Sequence, residues 1–479
     1  MIAEVIFEPQ KELVRMIWVW LGLCGFFVWL QAKKSYGGAG FVFIYILLLS
    51  VIHLFGAIIH AAPQFALKEV EYVVLGFRES LWGMAAFCAG AFIPILGRAT
   101  LEDMTGKEQR VAVPLNIIFR LIGLGLVFFF ARSVLGRIPS IGASINAGTN
   151  LIVVGMVLGL WTSWVENRKV QMLLWILMCA GFPLFSLAFQ GFLSFGATAA
   201  AVVLLAAASF YRPQWRVWAI GLPSVYFALS LFVTYMRDRD EIRQQVWGGN
   251  KLENRIEKMR KLVDNFEWLD LKNEDHIARI DIRLNQNSMV GKTVDRIDTG
   301  AIGPVRGLTL WWAVQSLVPR IIWRNKTVVA GSMDCAGYFT GEVYAKGTSF
   351  GLGQIMEFYG NYKRAGVVIC MFFLGWLIAF WDIRCGEALR RGDWRNYSYY
   401  FILLVPLLQP GGSAVELFSG VAAAAVLVWF LKKYVFKEEK KKPGTIDLQP
   451  EESGLGLSGA AQVGRPKRFV YGEGEKKAD

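Results

Sequence analysis

Histidine is scarce in this chain, three in 479 positions, and cysteine numbers only six. Chemistry built on a His/Cys metal cluster therefore has little to work with. His53 and His60 stand seven apart on one helical face with no Cys or carboxylate cluster beside them, a poor set for a metal that needs three or four converging ligands. Cys24, Cys88, Cys179 and Cys370 fall inside apolar runs and Cys385 at the end of one; Cys335 alone lies in polar sequence, which excludes a disulfide framework. There is no Walker loop and no nucleophile elbow with a plausible triad. Internal repeats of 20–50 residues are lacking too. No cleavable signal-peptide pattern opens the sequence, so the first apolar run is expected to act as an anchor. Acid is short as well: 38 Asp and Glu against 51 Lys and Arg leave a net charge of +13. Most of that surplus flanks apolar runs or lies in the C-terminal tail, where anionic lipid headgroups account for it. Nucleic acid is not an expected partner.

What the chain has in abundance is apolar length. Hydrophobic residues make up 54%, aromatics 14%, and the mean hydropathy is +0.40, far from a soluble globular domain. Runs long enough to cross a hydrocarbon core of about 30 Å as helices are expected at 15–31, 39–60, 72–96, 111–131, 145–164, 170–188, 191–211, 215–236, 365–384, 398–410 and 413–433. The 398–410 run is short and ends at Pro410-Gly411-Gly412, so it pairs with its successor as a tight hairpin. These runs predict an all-α polytopic integral membrane protein of about eleven spans, split into 1–236, an insert at 237–364, closing spans at 365–433 and a tail at 434–479. The tail is rich in Lys, Glu, Gly and Pro without apolar periodicity, and reads as disordered. By the positive-inside rule, Lys432-Lys433 and Lys440-Lys441-Lys442 belong in the cytoplasm. Counting back, 384–395 is inside, the insert outside, and the N-terminus outside. Arg132 and Arg137 run against the rule.

A membrane protein needs no insert of this size to remain in the bilayer. Leu252, Ile256, Met259, Val263 and Phe266 recur at helical spacing and predict an amphipathic helix suited to the interface. A second helix is expected over 274–284, with Arg279 and Arg283 one turn apart on one face. After Gly300, Gly303 and Pro304 a third covers Leu308 to Val318 and bears Trp311 and Trp312; 331–353 reads as loop. Arg320, between Pro319 and Ile321-Ile322-Trp323, and nearby Lys326 offer cations at a membrane surface, as a phosphate or carboxylate would require. Interfacial anchoring is the plainer alternative. Glu357, in Gln354-Ile355-Met356-Glu357-Phe358-Tyr359-Gly360-Asn361-Tyr362, suits a general base or a partner for sugar hydroxyls, against a structural ion pair. His276 is a second candidate base. Arg78 and Glu79 lie inside the third run, where ionisable side chains are costly and functional by default. Asp238-Arg239-Asp240 has the Asp-x-Asp form that holds a metal on a diphosphate in nucleotide-sugar enzymes. It sits on the side where nucleotide sugars are not supplied, so no metal is expected.

In order along the chain, Arg279 with Arg283-Leu284, Gly307-Leu308-Thr309-Leu310, Val318-Pro319-Arg320-Ile321-Ile322-Trp323 with Lys326, Thr348-Ser349-Phe350-Gly351 and Glu357-Phe358-Tyr359-Gly360-Asn361-Tyr362 resemble the bacterial oligosaccharide repeat-unit polymerases, the O-antigen and exopolysaccharide polymerase family. The likeness covers about ninety residues in detail and the rest through topology alone. Two departures stand out. The family tends to have proline around the Trp and Lys where this chain has Arg324 and Thr327, and glycine where Lys363 stands.

The resemblance implies a GT-C-like enzyme of the bacterial cytoplasmic (inner) membrane, its large loop extracytoplasmic. It would move one glycan from its polyprenyl diphosphate to a sugar hydroxyl of another. That bond is already activated, so neither ATP nor any cofactor is called for. Arg320, Lys326 and Arg283 become candidates to stabilise the leaving diphosphate, with Arg279 and Arg306 as further contacts. Glu357 is the first-choice base and His276 the second. Tyr359, Asn361, Tyr362, Trp311 and Trp312, with Arg78 and Glu79, are the remaining substrate-side candidates. A flippase and a chain-length regulator of the same pathway are the implied partners, beside the lipid-linked oligosaccharide and the bilayer. Rival expectations are a ligase with the same donor chemistry, a transporter, which predicts matched halves and broken helices, and a non-catalytic partner in polysaccharide assembly.

Overall fold

The computed structural model describes residues 2–436 except 33–36, 63–68, 103–109, 137, 139–140, 192, 212–214, most of 248–263, 319–321, 324, 327–332 and 345–350. Every regular element among the described residues is a helix, with no strand. In chain order they form α1 (Ile2–Ala32), α2 (Phe41–Ala61), α3 (Val70–Glu102), α4 (Leu115–Leu135), α5 (Ile141–Gly148), α6 (Asn150–Val165), α7 (Lys169–Gln190), α8 (Leu193–Tyr211) and α9 (Trp215–Trp247). Then come α10 (Glu274–Leu284), α11 (Asn287–Asp298), α12 (Leu308–Ser316), α13 (Met333–Thr340), α14 (Gln354–Arg390), α15 (Trp394–Leu404) and α16 (Ala414–Phe430). The expected helix at 252–266 and the tail beyond 436 lie largely outside the described residues.

Eight helices among the described residues are long and apolar enough to cross a membrane, against the eleven expected. The difference lies in three of the expected runs. The expected runs at 191–211 and 215–236 are both helical, as α8 and the front of α9, but each is only partly described, with a 17-residue apolar piece at Phe195–Tyr211. The 398–410 run is corrected: α15 has 11 residues and ends in a 3-10 turn at Val405–Leu407, about 16 Å of α-helix at 1.5 Å per residue. It packs as one arm of a hairpin with α16, which starts from a capping box of Ser413 and Glu416. The expected insert boundary at 236/237 falls inside α9, while that at 364/365 falls beside a break in α14. Of two further helices in the insert, α13 stands where loop was expected, and α11 where no element was expected.

The core forms where glycine lets helices approach. A Cβ on Gly90 would overlap the Phe372 carbonyl, and one on Gly375 that of Phe87; α3 and α14 thus meet backbone to backbone, as small residues permit. The polar helix α11 docks on the first turns of α3 in the same way, Gly291 against Tyr72 and Gly76 against Asn287. The start of α2 is capped from far away. Its first residues have no capping side chain of their own, and Asp382 of α14 accepts from the amides of Ala39 (2.8 Å), Phe41 (3.1 Å) and Val42 (3.4 Å). Those are the orphan donors every helix start presents.

Helix α14 is broken at Tyr362 (φ −141, ψ 28) and Lys363 (φ 53, ψ −152). The hydroxyl of Tyr45 reaches both Gln354 (2.6 Å) and Met371 (3.8 Å), which a straight helix would hold about 25 Å apart. Gly83 likewise faces Ile355, Val367 and Met371 together. Residues 354–361 are therefore a short helical arm folded back along the body of α14.

Candidate functional site

The arm carries Glu357, Tyr359 and Asn361, and its hydrogen bonds show what each does. Val305 and Arg306 donate their amides to the carbonyls of Gly360 and Asn361, at 2.9 and 3.2 Å. Asn361 accepts from the Gly307 amide at 2.9 Å and donates to Thr309 Oγ1 and the Glu357 carbonyl, both at 2.7 Å. The loop at 305–309 is thus stitched to the arm, and Arg306, at φ 49 beside Gly307 at φ 89, turns an exposed side chain to solvent. Tyr359 Oη donates to Asp298 Oδ2 at 3.0 Å, and Lys363 Nζ to Asp298 Oδ1 at 3.0 Å. One carboxylate at the end of α11 therefore bridges both sides of the reversal. Glu79, 1% exposed, takes a bidentate bond from Arg364 at 2.5–3.1 Å, the strong fork geometry of arginine and carboxylate.

Glu357 is wholly buried. Its Oε2 accepts from the Ala414 amide at 2.6 Å, so it holds the N-terminus of α16, where a carboxylate is favoured by the exposed amides. The Thr309 hydroxyl lies beside it, yet Oε1 makes no hydrogen bond of good geometry. With the arm folded back, the carboxylate is sealed from solvent. Arg78 faces away from Glu79 and pairs with Glu12 at 2.6 Å.

The other expected bases and cations are distributed elsewhere. His276, 7% exposed, accepts from the Asp270 amide at 3.1 Å through Nδ1 and faces Glu267 at 3.4 Å through Nε2. Both ring nitrogens are occupied, so it pins the loop before α10. Lys326 Nζ donates to the carbonyls of Gln315, Ser316 and Val318 at 3.2, 3.4 and 2.5 Å, answering the bare carbonyls at the end of α12. Trp312 packs near Ala414 and Val415 while Trp311 is exposed. Arg320 lies outside the described residues. His53 and His60 are engaged separately, with Asn287 (2.8 Å) and Asp281 (3.2 Å).

Four arginines form a different kind of group. Arg239 and Arg243 stand one turn apart on α9, Arg279 and Arg283 one turn apart on α10, and the two helices pack together. Their approach is set by the returning segment 265–270. Thr234 and Ser230 accept the amides of Glu267 and Leu269 at 3.1 and 3.0 Å, and Tyr226 donates to the Leu269 carbonyl at 2.9 Å. Glu267 faces Arg237 at 2.5 Å and Arg279 at 3.8 Å. Among the described residues, neither the Arg239 nor the Arg283 side chain makes a hydrogen bond or an ion pair. Burial, then the like charges of Arg239 and Arg243, pull the Arg283 guanidinium below its usual value, against a smaller opposing pull from Tyr235 and Asp240. Sequence reading found Arg279 and Arg283 by their spacing. It passed over Arg239 and Arg243 because the acids flanking Arg239 drew attention to metal binding, although the same one-turn spacing was there to see.

Residues 58–389 match the family described as a domain of unknown function (DUF8712), and the chain belongs to that family. No curated protein and no solved structure matches it.

Proposed function

We propose that this member of the DUF8712 family is a glycosyltransferase of the bacterial cytoplasmic membrane. In this reading it is GT-C-like in plan and joins polyprenyl-diphosphate-linked oligosaccharide repeat units into surface polysaccharide on the outer face. The observation that carries the reading is the arginine group on α9 and α10. Guanidiniums close enough to disfavour one another's charge, as Arg239 and Arg243 do Arg283's, carry a cost that a multiply charged anion reverses. A diphosphate presents paired oxygens to such forks. Next to a lipid-soluble helical body, a diphosphate on a lipid is the form of that anion that arrives by diffusion in the bilayer.

In the transfer, a hydroxyl oxygen of the acceptor sugar bonds to the donor's anomeric carbon. The bond from that carbon to the diphosphate breaks, and its electron pair leaves with the polyprenyl diphosphate. Arg283, Arg239 and Arg243 stabilise the charge gathering there. The hydroxyl proton passes to a carboxylate. Glu357 takes that part only when the arm at 354–361 swings off Ala414, which makes the reversal at Tyr362–Lys363 the moving joint. The elements that resemble the polymerase family lend support at one further point. Lys363 occupies a backbone conformation (φ 53, ψ −152) that is essentially glycine's, at the position where that family tends to have glycine.

The test is surface and lipid-linked glycan in a strain lacking the gene, complemented at matched membrane levels with wild type, Arg283→Ala or Arg239→Ala. A ladder with wild type and single units in the null and both variants is the expected result. Long polymer piling up on the lipid carrier in the null would make the protein a ligase instead. Unchanged glycan in the null would end the glycan reading.

A further inference from the structure

Beside α11 runs a cleft of about 480 Å³ whose walls include Glu69, Tyr72, Lys292, Asp295, Arg296 and Glu342. It lies within the size range of small-ligand pockets, about 300–1,000 Å³. Its frame is rigid. Lys292 bridges Glu69 at 2.6 Å and Glu342 at 2.5 Å, with its Nζ 5.8 Å from the centre of the Tyr72 ring. Gly341, at φ 78, leaves the space into which the Arg296 guanidinium projects.

Two neighbours on α11 are left over from this frame. Among the described residues neither Asp295 nor Arg296 makes a side-chain hydrogen bond or ion pair, and Arg296 Nε is buried without a partner. One cleft thus offers an unused acceptor and an unused donor side by side, next to an aromatic ring. An anion would answer Arg296 but meet Asp295, Glu69 and Glu342. A cation would answer Asp295 but meet Arg296 and Lys292. A ligand whose groups both donate and accept answers the two at once, and vicinal hydroxyls do that; the Tyr72 ring supplies a face for an apolar sugar surface.

From this we infer that the cleft is a binding site for an uncharged sugar ring, gripped through two hydroxyls by Asp295 and Arg296. The inference deepens the proposed transferase reading, on which its assignment to the acceptor glycan rests. α11 links the two places: its Asp298 holds the reversal of α14, while Asp295 and Arg296 hold the sugar. The acceptor would then be fixed by a helix that also fixes the arm carrying Glu357.

The experiment is saturation-transfer NMR on the full chain in lipid nanodiscs, with maltose, lactose and cellobiose as neutral probes and tri-galacturonate and inorganic phosphate as competitors. At least one disaccharide should bind, about tenfold or more weaker in Asp295→Asn and in Arg296→Gln, with neither anion competing. Both variants sit on a partly exposed helix face, and unchanged thermal midpoints verify that they fold. No disaccharide binding, binding indifferent to both variants, or displacement by an anion would each overturn the site. Binding that depends on Arg296, in a protein whose null strain has normal surface glycan, would keep the sugar site and remove the transferase. A lost ladder without sugar binding would do the opposite.

Discussion

Arg364 and Arg283 are both partly exposed arginines in the region between the long apolar helices, and they are held in opposite ways. Arg364 forks onto the buried Glu79, its neighbour Lys363 meets Asp298, and Tyr359 meets the same Asp298. Lys363 and Arg364 thus each have an acid. Arg283 has no acid of its own and lies near Arg239 and Arg243, whose charges disfavour its own. The first group spends its electrostatics on shape, fixing the angle at which the arm leaves α14. The second leaves its electrostatics unspent within the protein. Paired charge holds a frame; like charge gathered with few acids is what the proposed diphosphate site rests on. A search for arginine alone does not separate them, because the difference lies in their partners.

That contrast can be broken most severely at the unpaired set. Arg239→Ala with Arg283→Ala should cut polymer by about 100-fold or more, the scale seen when preorganised charge stabilisation is removed. The thermal midpoint should hold or rise, since a repulsion is lost. A clear fall in midpoint with polymer retained would show the group to be part of the frame. Arg364→Leu should do the reverse. It strands a buried carboxylate, and the usual penalty of about 3–5 kcal/mol for a fully buried pair shrinks to about 2–3 because the guanidinium is half exposed. Joint replacement of Glu79 and Arg364 by leucine should recover most of the loss; thermal unfolding in detergent is the readout, and no recovery would mean the pair does more than hold shape.

Smaller effects sharpen the picture. Lys363→Gly relieves a backbone strain of about 1–3 kcal/mol and forfeits an exposed ion pair worth about 0–1 and some unfolded-state entropy. A net gain of about 1 kcal/mol is expected in the same assay, and a loss would relocate the strain. Smallest of all is the pH response of the cleft. Burial pushes Glu69 up, but its bonds with Lys292 and Ser288 win and hold it below the usual carboxylate value. Burial pulls Lys292 down, but Glu342 and Glu69 hold it above the usual lysine value. Glu69's contribution is present above its unfolded pKa and fades as pH falls through the folded one. That of Lys292 is present below its unfolded pKa and fades as pH rises through the folded one. The stability difference between wild type and Lys292→Met should therefore be flat from about pH 5 to about pH 10. A slope near neutrality would place another titrating group in the cleft.

Much of this could be read from the sequence where the signal is local. The limits of α10 followed from periodicity, and Glu79, Tyr359, Asn361 and Arg306 were named and do gather at the reversal or beside it. Their roles were not legible, because each depends on a partner far along the chain. Glu79 and Arg364 are 285 positions apart, Tyr359 and Asp298 61. Nor was the reversal, since an apolar run reads alike whether its first turns continue straight or fold back. The one local hint was a lysine where the resembling family tends to have glycine. α11 was missed although Val290, Val294 and Ile297 stand at helical spacing, because a short polar helix between glycines reads as turn until α3 supplies the surface it docks on.

Asp382 gives the molecule an order of assembly. Synthesis runs from the amino end, and the amides that open α2 are answered only by a carboxylate at least 340 residues later. The second helix must leave the ribosome, and wait, with its first turn open. Nothing made before residue 382 can close it with that carboxylate. A chain halted anywhere upstream therefore carries an unfinished helix end, a mark by which quality control can tell a partial product from a complete one.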